Sequence, residues 1–316
     1  MKEGIILRDK CPCCNSISSK SIFKRSFDEE LIKKYMNEAY QGNADIGFLE
    51  NVLFEIAKCN DCNLSFQKYV LDEQRLNELY DKWIDPNLAK YWHKNSNTHK
   101  KSVFNSYILN YVKNIQKREA RNIKILDYGA GFGEFLLSAI NMGFIYSYAY
   151  EYSTERIKIL EEKGIKCIDY NNSTLFDFII INQVLEHLTY PTEAMKNIIS
   201  RLNKNGIVYI AVPNCSYIEK KLENTENITD AKELHQVLLG ASVGAFQHIN
   251  FFNNYNLKLL CRNLGLIPIN PVKYTMFNPM NIRSFIRPFY KYYFGTSMFF
   301  KIAPHSAVAY RQKLEN

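Results

Sequence analysis

Between residues 123 and 214 short apolar runs alternate with amphipathic stretches. IKILDY (123–128) is a compact apolar run; a glycine cluster and then EFLLSAINMG (134–143) follow it. That order predicts strand, tight loop and helix. YSYAYEYS (146–153), IKCIDY (165–170), FDFIIIN (176–182) and IVYIAVPN (207–214) read as further strands. TERIKILEEKG (154–164) and LTYPTEAMKNIISRLNKNG (188–206) read as helices, with Gly164 and Gly206 as stops. Strands alternating with helices predict an α/β fold: a doubly wound, Rossmann-like and mostly parallel sheet covered on both faces.

Outside this core the pattern is less regular. Residues 71–120 read as a helical connector, with apolar residues at three- and four-residue steps in LDEQRLNELYDKW and HKKSVFNSYILNYVKNIQKREA. Residues 215–250 read as loop and helix ending in AFQHINFFN, and NNYNLKLLCRNLGL is another helix. NPVKYTMF and HSAVAYRQ are weaker strand candidates. They bracket an aromatic and basic insertion at 281–302, expected to pack on the core or cover a substrate, with contact to a membrane surface as the alternative. The expected organisation is a cysteine-rich module over 1–70 with a helical insertion (FDEELIKKYMNEAY), the connector over 71–120, and the α/β domain over 121–316.

Composition adds three constraints. The chain has 316 residues, long enough for one large domain and a small one. No apolar run approaches the ~18 residues of a membrane span, and the N-terminal apolar stretch is too short for an export signal, so a cytoplasmic location is expected. The net charge of +8, from 40 basic and 32 acidic residues, is a mild bias. It suits a phosphate-bearing substrate, but the chain has no dense basic stripe of the kind that grips nucleic acid.

Five of the eight cysteines lie before residue 70. Cys11 and Cys14 form one CxxC, and Cys59 and Cys62 form a second after 44 intervening residues. Where thiols stay reduced, two such turns supply the four thiolates of a structural zinc site; a disulfide or free thiols are the alternative. Cys13 is a spare, since adjacent cysteines fit one metal poorly. Cys167, Cys215 and Cys261 read as core residues.

The strongest chemical signal is ILDYGAGFGEFL (125–136). Gly129, Gly131 and Gly133 follow a strand and open a helix, where the backbone turns sharply and a ligand can touch the main chain. The spacing is GxGxG, and Asp127 precedes the first glycine by two residues. A carboxylate there repels a pyrophosphate but suits a cationic amino-acid group, as in S-adenosylmethionine. Glu151, eighteen residues past Gly133 at the next strand tip, is placed to accept hydrogen bonds from both ribose hydroxyls. A dinucleotide loop with a chance aspartate is the alternative.

On these residues, with FDFIIINQVLEHLTYP and IISRLNKNGIVYIAVPN, the segment 123–214 resembles the core of the class I S-adenosylmethionine-dependent methyltransferases. The resemblance implies that Asp127, Gly129, Gly131 and Gly133 line the methionine part of the donor and that Glu151 holds the ribose. It further places Asn182 and Gln183 beside the transferring methyl and Asp169 near the adenine. The cysteine clusters resemble the zinc-binding region of bacterial methyltransferases that act on nucleotide-linked deoxysugars, although the C-terminal part here is shorter. The implied acceptor is a sugar or nucleotide-sugar in surface polysaccharide or related biosynthesis. An RNA acceptor gripped by the zinc module, or a lipid or quinone, is the alternative.

Methyl transfer to a hydroxyl or acidic C–H needs a base near neutral pH. His187 (QVLEHL) and His248 (AFQHINFF) are the catalytic candidates, with Glu186 as a carboxylate to orient either; a structural histidine bonding a carbonyl is the alternative for each. Asn182-Gln183-Val184-Leu185 is not the Asn-Pro-Pro-Tyr of amino methylation, and no Pro-Cys follows the fourth strand. The acceptor atom and the oligomeric state are not fixed by the sequence.

Overall fold

The computed structural model describes residues 2–85, 98–169, 171–223, 225–269 and 307–313. The 270–277 strand candidate and the 281–302 insertion lie outside the described residues.

In chain order the strands are β1 (Ile5–Leu7), β2 (Ser19–Ser26), β3 (Leu53–Cys59), β4 (Ser65–Gln67), β5 (Tyr69–Leu71), β6 (Lys124–Tyr128), β7 (Tyr146–Tyr150), β8 (Lys166–Cys167), β9 (Phe176–Asn182), β10 (Leu202–Val212), β11 (Asn250–Phe251), β12 (Leu266–Pro268) and β13 (Ala307–Lys313). The main helices are α1 (Glu30–Ala39), α2 (Glu73–Glu78), α3 (Thr98–Gln116), α4 (Glu134–Asn141), α5 (Thr154–Glu162), α6 (Pro191–Ser200), α7 (Ile218–Leu222), α8 (Ala231–Gly240) and α9 (Asn254–Asn263). Among the described residues no helix is long and apolar enough to cross a membrane.

The chain divides into two compact units. One comprises Met1–Ser96, Leu185–Thr192 and Pro213–Leu260; the other comprises Asn97–Val184, Glu193–Val212 and Cys261–Asn316.

The second unit carries a seven-stranded sheet in the order β12-β13-β10-β9-β6-β7-β8. The five strands from β10 to β8 are parallel, and β13 runs antiparallel to both β10 and β12. The expected doubly wound α/β architecture is therefore present. β9 is buried along its length up to Asn182, as a strand in a sheet covered on both faces requires; its run is apolar but for Asp177, which pairs with Arg118 at 2.9 Å. Phe135, Leu136 and Ala139 of α4 share one core cluster with Ile125, Phe178 and Ile180. The chain winds outward from β6 to β7 and β8, then returns to start β9 on the other side of β6. Adjacent β6 and β9 thus mark the reversal point, where ligands settle at the carboxyl ends of such sheets.

One boundary differs from the sequence pattern. The helix expected to run to Gly206 ends at Ser200, and β10 begins at Leu202. Asn205 has φ 62°, which an α-helix does not admit, and the register with β9 shifts between Leu202 and Ile207.

The first unit holds a four-stranded antiparallel sheet, β11-β4-β3-β2, and a β1–β5 pair. Ile32, Tyr35 and Met36 put the apolar stripe of α1 into the core. Phe27 stacks between Phe54 (5.5 Å between centroids) and Phe246 (5.2 Å). β11 lies within AFQHINFFN, which the sequence pattern left without a strand. It pairs Asn250 with Phe66 and Phe251 with Ser65. Two residues carry no readable period; the β4 edge supplies the partner that makes them a strand.

Candidate functional site

At the tip of β6 the glycine loop folds over the end of β7: the N–H groups of Gly129 (2.8 Å) and Ala130 (3.2 Å) both donate to the Tyr150 carbonyl. All three glycines have positive φ, +79°, +56° and +78° in order. Their reasons differ. A Cβ on Gly129 would meet Val184 Cγ2 at 2.5 Å, and one on Gly133 would meet Ile165 Cδ1 and Leu160 Cδ2 at 2.6 Å. Internal packing therefore demands these two glycines. A Cβ on Gly131 would meet nothing within 4 Å, so its bare backbone faces open space. Gly133 immediately precedes α4, which turns the N-terminus of that helix toward the loop.

Glu151 follows β7. Its Oε2 accepts the Gly131 N–H at 2.7 Å, while Oε1 accepts those of Tyr152 (2.9 Å) and Ser153 (3.1 Å). A carboxylate offers about four acceptor positions, so three are committed to the backbone. Among the described residues one position remains in this conformation, where the grip on both ribose hydroxyls expected from sequence asks for two. Glu151 thus braces the glycine loop, a role that spacing could not reveal.

Asp127 is buried at the end of β6. Burial first, and the neighbouring Glu151 second, push its pKa up to about 7. Asn182 ends β9 and Gln183 follows it, both exposed, and Gln183 turns at φ 57° while donating its N–H to the Ala211 carbonyl. Asp169 is exposed in the loop after β8, where its carbonyl accepts the Asn172 N–H.

In the first unit the four cysteines of the two CxxC turns converge. Their sulfurs all lie within 4.8 Å of one another, with Cys11–Cys62 at 3.5 Å and Cys14–Cys59 at 3.6 Å. A disulfide needs ~2.05 Å, and all four thiols are free. A tetrahedron with metal–sulfur bonds of ~2.3 Å has edges of ~3.8 Å, close to these separations. The two turns are built alike. Asn15 and Asn63, each directly after the second cysteine, take left-handed φ (61° and 58°) and donate their N–H to Cys11 and Cys59 carbonyls. Asparagine tolerates that conformation well, a signal present in CPCCN and CNDCN but not read. Cys13 is outside the cluster, its sulfur 3.9 Å from the Asn256 carbonyl.

The same unit brings Glu186, His187 and His248 together, each with a ligand atom within 4.8 Å of the others'. The imidazole rings meet edge to face at 4.8 Å. His187 Nδ1 lies 2.8 Å from the Gln247 carbonyl and His248 Nδ1 lies 3.0 Å from that of Ser242. Glu186 is 1% exposed, and burial pushes its pKa up to about 8. Burial also lowers the pKa of His248, opposed by its Ser242 hydrogen bond.

Arg8 and Asn250, which the sequence did not single out, hold this cluster's backbone. The buried Arg8 guanidinium donates to the Gln67 and Ile249 carbonyls and to Asn250 Oδ1 (2.7 Å). Asn250 Nδ2 donates in turn to the Leu185 and Leu188 carbonyls, on both sides of Glu186 and His187.

A family model described as a methyltransferase domain matches residues 91–269, more than half of the chain. The chain belongs to the methyltransferase domain family. Several solved structures are similar to this methyltransferase. The plantazolicin methyltransferase BpumL in complex with SAH is 16% identical, over 76% of this chain and 94% of that one, with TM-score 0.47. CalS10, an amino pentose methyltransferase from Micromonospora echinaspora, is 14% identical over 40% and 56% of the two chains, with TM-score 0.33. PKMT2 from Rickettsia typhi in complex with AdoHcy is 14% identical over 65% and 52%, with TM-score 0.41. A comparison with curated proteins gave no match.

The protein has the class I methyltransferase fold and is an S-adenosylmethionine-dependent methyltransferase. The loop fits such a donor on its own terms. Gly131 presents open backbone, and among the described residues Asp127 has no cationic partner of the kind an ammonium would supply to a buried carboxylate.

Proposed function

We propose that this methyltransferase acts on a small-molecule acceptor, a sugar or nucleotide-sugar, in the cytoplasm, and that a structural zinc ion holds its N-terminal module. The observation that carries the reading is the convergence of Cys11, Cys14, Cys59 and Cys62 to near-tetrahedral sulfur separations in a methyltransferase. It supports the likeness of the N-terminal region to that of sugar methyltransferases. Free thiols, adjacent yet not bonded, suit a reducing compartment.

In the same reading the donor lies along the glycine loop. S-adenosylmethionine supplies an electrophilic methyl group on a sulfonium. Asp127 receives the donor's ammonium, Gly131 gives its backbone room, and Gly129 and Gly133 keep the loop shaped. Glu151 braces the loop and offers its remaining acceptor position to the ribose. Asn182 and Gln183 line the methionine side, and Asp169 stands toward the adenine. His187 and His248 act on the acceptor, which must lose a proton as it takes up the methyl. Both rings fit this work, because a carbonyl can only accept. Each Nδ1 therefore carries the proton and each Nε2 keeps its lone pair.

The test is release of S-adenosylhomocysteine from S-adenosylmethionine with a panel of nucleotide-sugars and, separately, bulk transfer RNA. Turnover with a nucleotide-sugar, lost in His187→Ala or His248→Ala, is the expected result. Turnover with RNA alone overturns the acceptor. Elemental analysis of the same protein is expected to find zinc, and its absence from a folded chain overturns the zinc module.

A further inference from the structure

We propose that Glu186, His187 and His248 form a binding site for a divalent transition-metal cation, distinct from the four-cysteine cluster. The first observation is an orphaned carboxyl group. Among the described residues, both carboxyl oxygens of Glu186 are buried without a hydrogen-bond partner, in a residue 1% exposed. Removing a carboxylate from water without a donor or counter-charge costs several kcal/mol, and such a group in a native fold calls for an ion or a water. The second observation is what faces it. Two imidazoles and this carboxylate bring their ligand atoms within 4.8 Å, and His187 Nε2 lies 3.9 Å from Glu186 Oε1.

That distance is too long for a hydrogen bond. Two ligands on one tetrahedral cation at ~2.0–2.1 Å stand ~3.4 Å apart, so about half an ångström of movement closes the Glu186–His187 pair and at most about 1.4 Å closes the set. The backbone has already fixed the tautomers. With Nδ1–H donated to the Gln247 and Ser242 carbonyls, Nε2 is the lone-pair nitrogen of both rings. Ring orientation by a backbone carbonyl through the second nitrogen is the usual support of a metal-bound histidine. Asn250 and Arg8 rigidify the segments that carry the three ligands. Two imidazoles and one carboxylate favour zinc, iron or manganese over magnesium or calcium, and three protein ligands leave a coordination position open.

The cation stands beside the proposed function: bound at Nε2 of His187 and His248, it makes these rings ligands instead of the bases assigned above, and its existence does not depend on that assignment.

The test is zinc content of the full chain after chelation, dialysis against zinc and removal of excess, with neither donor nor acceptor present. The wild type is expected to hold one zinc more per chain than Glu186→Gln or His248→Gln, and Cys59→Ser is expected to lose the other. Cobalt substitution gives a second readout. The thiolate charge-transfer bands are expected to persist in Glu186→Gln, which also shows that this near-isosteric variant is folded, while the weaker bands of a nitrogen and oxygen site vanish. Equal zinc in the wild type, Glu186→Gln and His248→Gln, with the thiolate bands intact, overturns the proposal. Because no acceptor is used, that failure is distinguishable from a wrong acceptor.

Discussion

Gly131 and Gly133 sit two residues apart in one loop, yet alanine should fail at them for different reasons. At Gly133 a Cβ would lie 2.6 Å from terminal carbons of Leu160 and Ile165, where ordinary contacts begin at 3.4 Å. Both neighbours are buried, at 0% and 2% exposure, so neither can swing into solvent. Overpacking of this kind costs about 1–3 kcal/mol, and the left-handed backbone at φ +78° adds about 1–2 kcal/mol. Gly133→Ala should therefore lose roughly 2–5 kcal/mol of stability. Gly131→Ala carries only the backbone cost, about 1–2 kcal/mol, because nothing lies within 4 Å of its added carbon. Its methyl instead fills the space assigned to the donor. Urea unfolding and calorimetric titration with S-adenosylmethionine separate the two effects. The expected pattern is a folded Gly131→Ala with affinity reduced about tenfold or more, ~1.4 kcal/mol, and a Gly133→Ala with a clearly lower urea midpoint. Unchanged donor affinity in Gly131→Ala refutes the assignment of that open face. A wild-type midpoint in Gly133→Ala refutes the packing argument.

Asp127 makes stability and donor binding respond to pH in opposite senses. Its folded pKa of about 7 stands above the ordinary 3.8. Between those values the folded chain keeps a proton that the unfolded chain has lost, so this group's contribution falls as pH rises from about 4 to about 7. Asp127→Asn should flatten that slope and be the more stable protein above pH 7, by at most on the order of 4 kcal/mol, as chemical denaturation at several pH values would show. An ammonium prefers the ionised carboxylate, so wild-type affinity for S-adenosylmethionine should climb through that range, while the variant binds weakly without the climb. Arg8→Met should cost about 3 kcal/mol or more, because it strands the Gln67 carbonyl and Asn250 Oδ1 and leaves the Ile249 carbonyl with the Gln67 N–H alone. Hydrogen exchange at residues 248–250 should rise with it, and unchanged exchange there would count against Arg8 as the brace of the histidine segment.

Local pattern carried a long way here. The apolar runs at 123–128 and 176–182, the glycine loop between strand and helix, and the paired CxxC turns are each written within a few consecutive residues. Their physics is local: buried strands need continuous apolar residues, tight turns need glycine, and one metal needs two sulfurs per turn. The parallel sheet followed from them, as did the identities of Asp127, Gly131 and the four cysteines as candidates. Only the tertiary structure could say that Gly129 and Gly133 answer to Val184, Leu160 and Ile165, or that Glu151 spends most of its acceptors on backbone N–H groups. It also brought His187 and His248, 61 positions apart in the chain, into edge-to-face contact beside a buried Glu186, and threaded Arg8 behind them. The reason is range. A hydrogen bond or a steric contact is decided by distance in space, and residues far apart in sequence leave no period or spacing that announces they will meet.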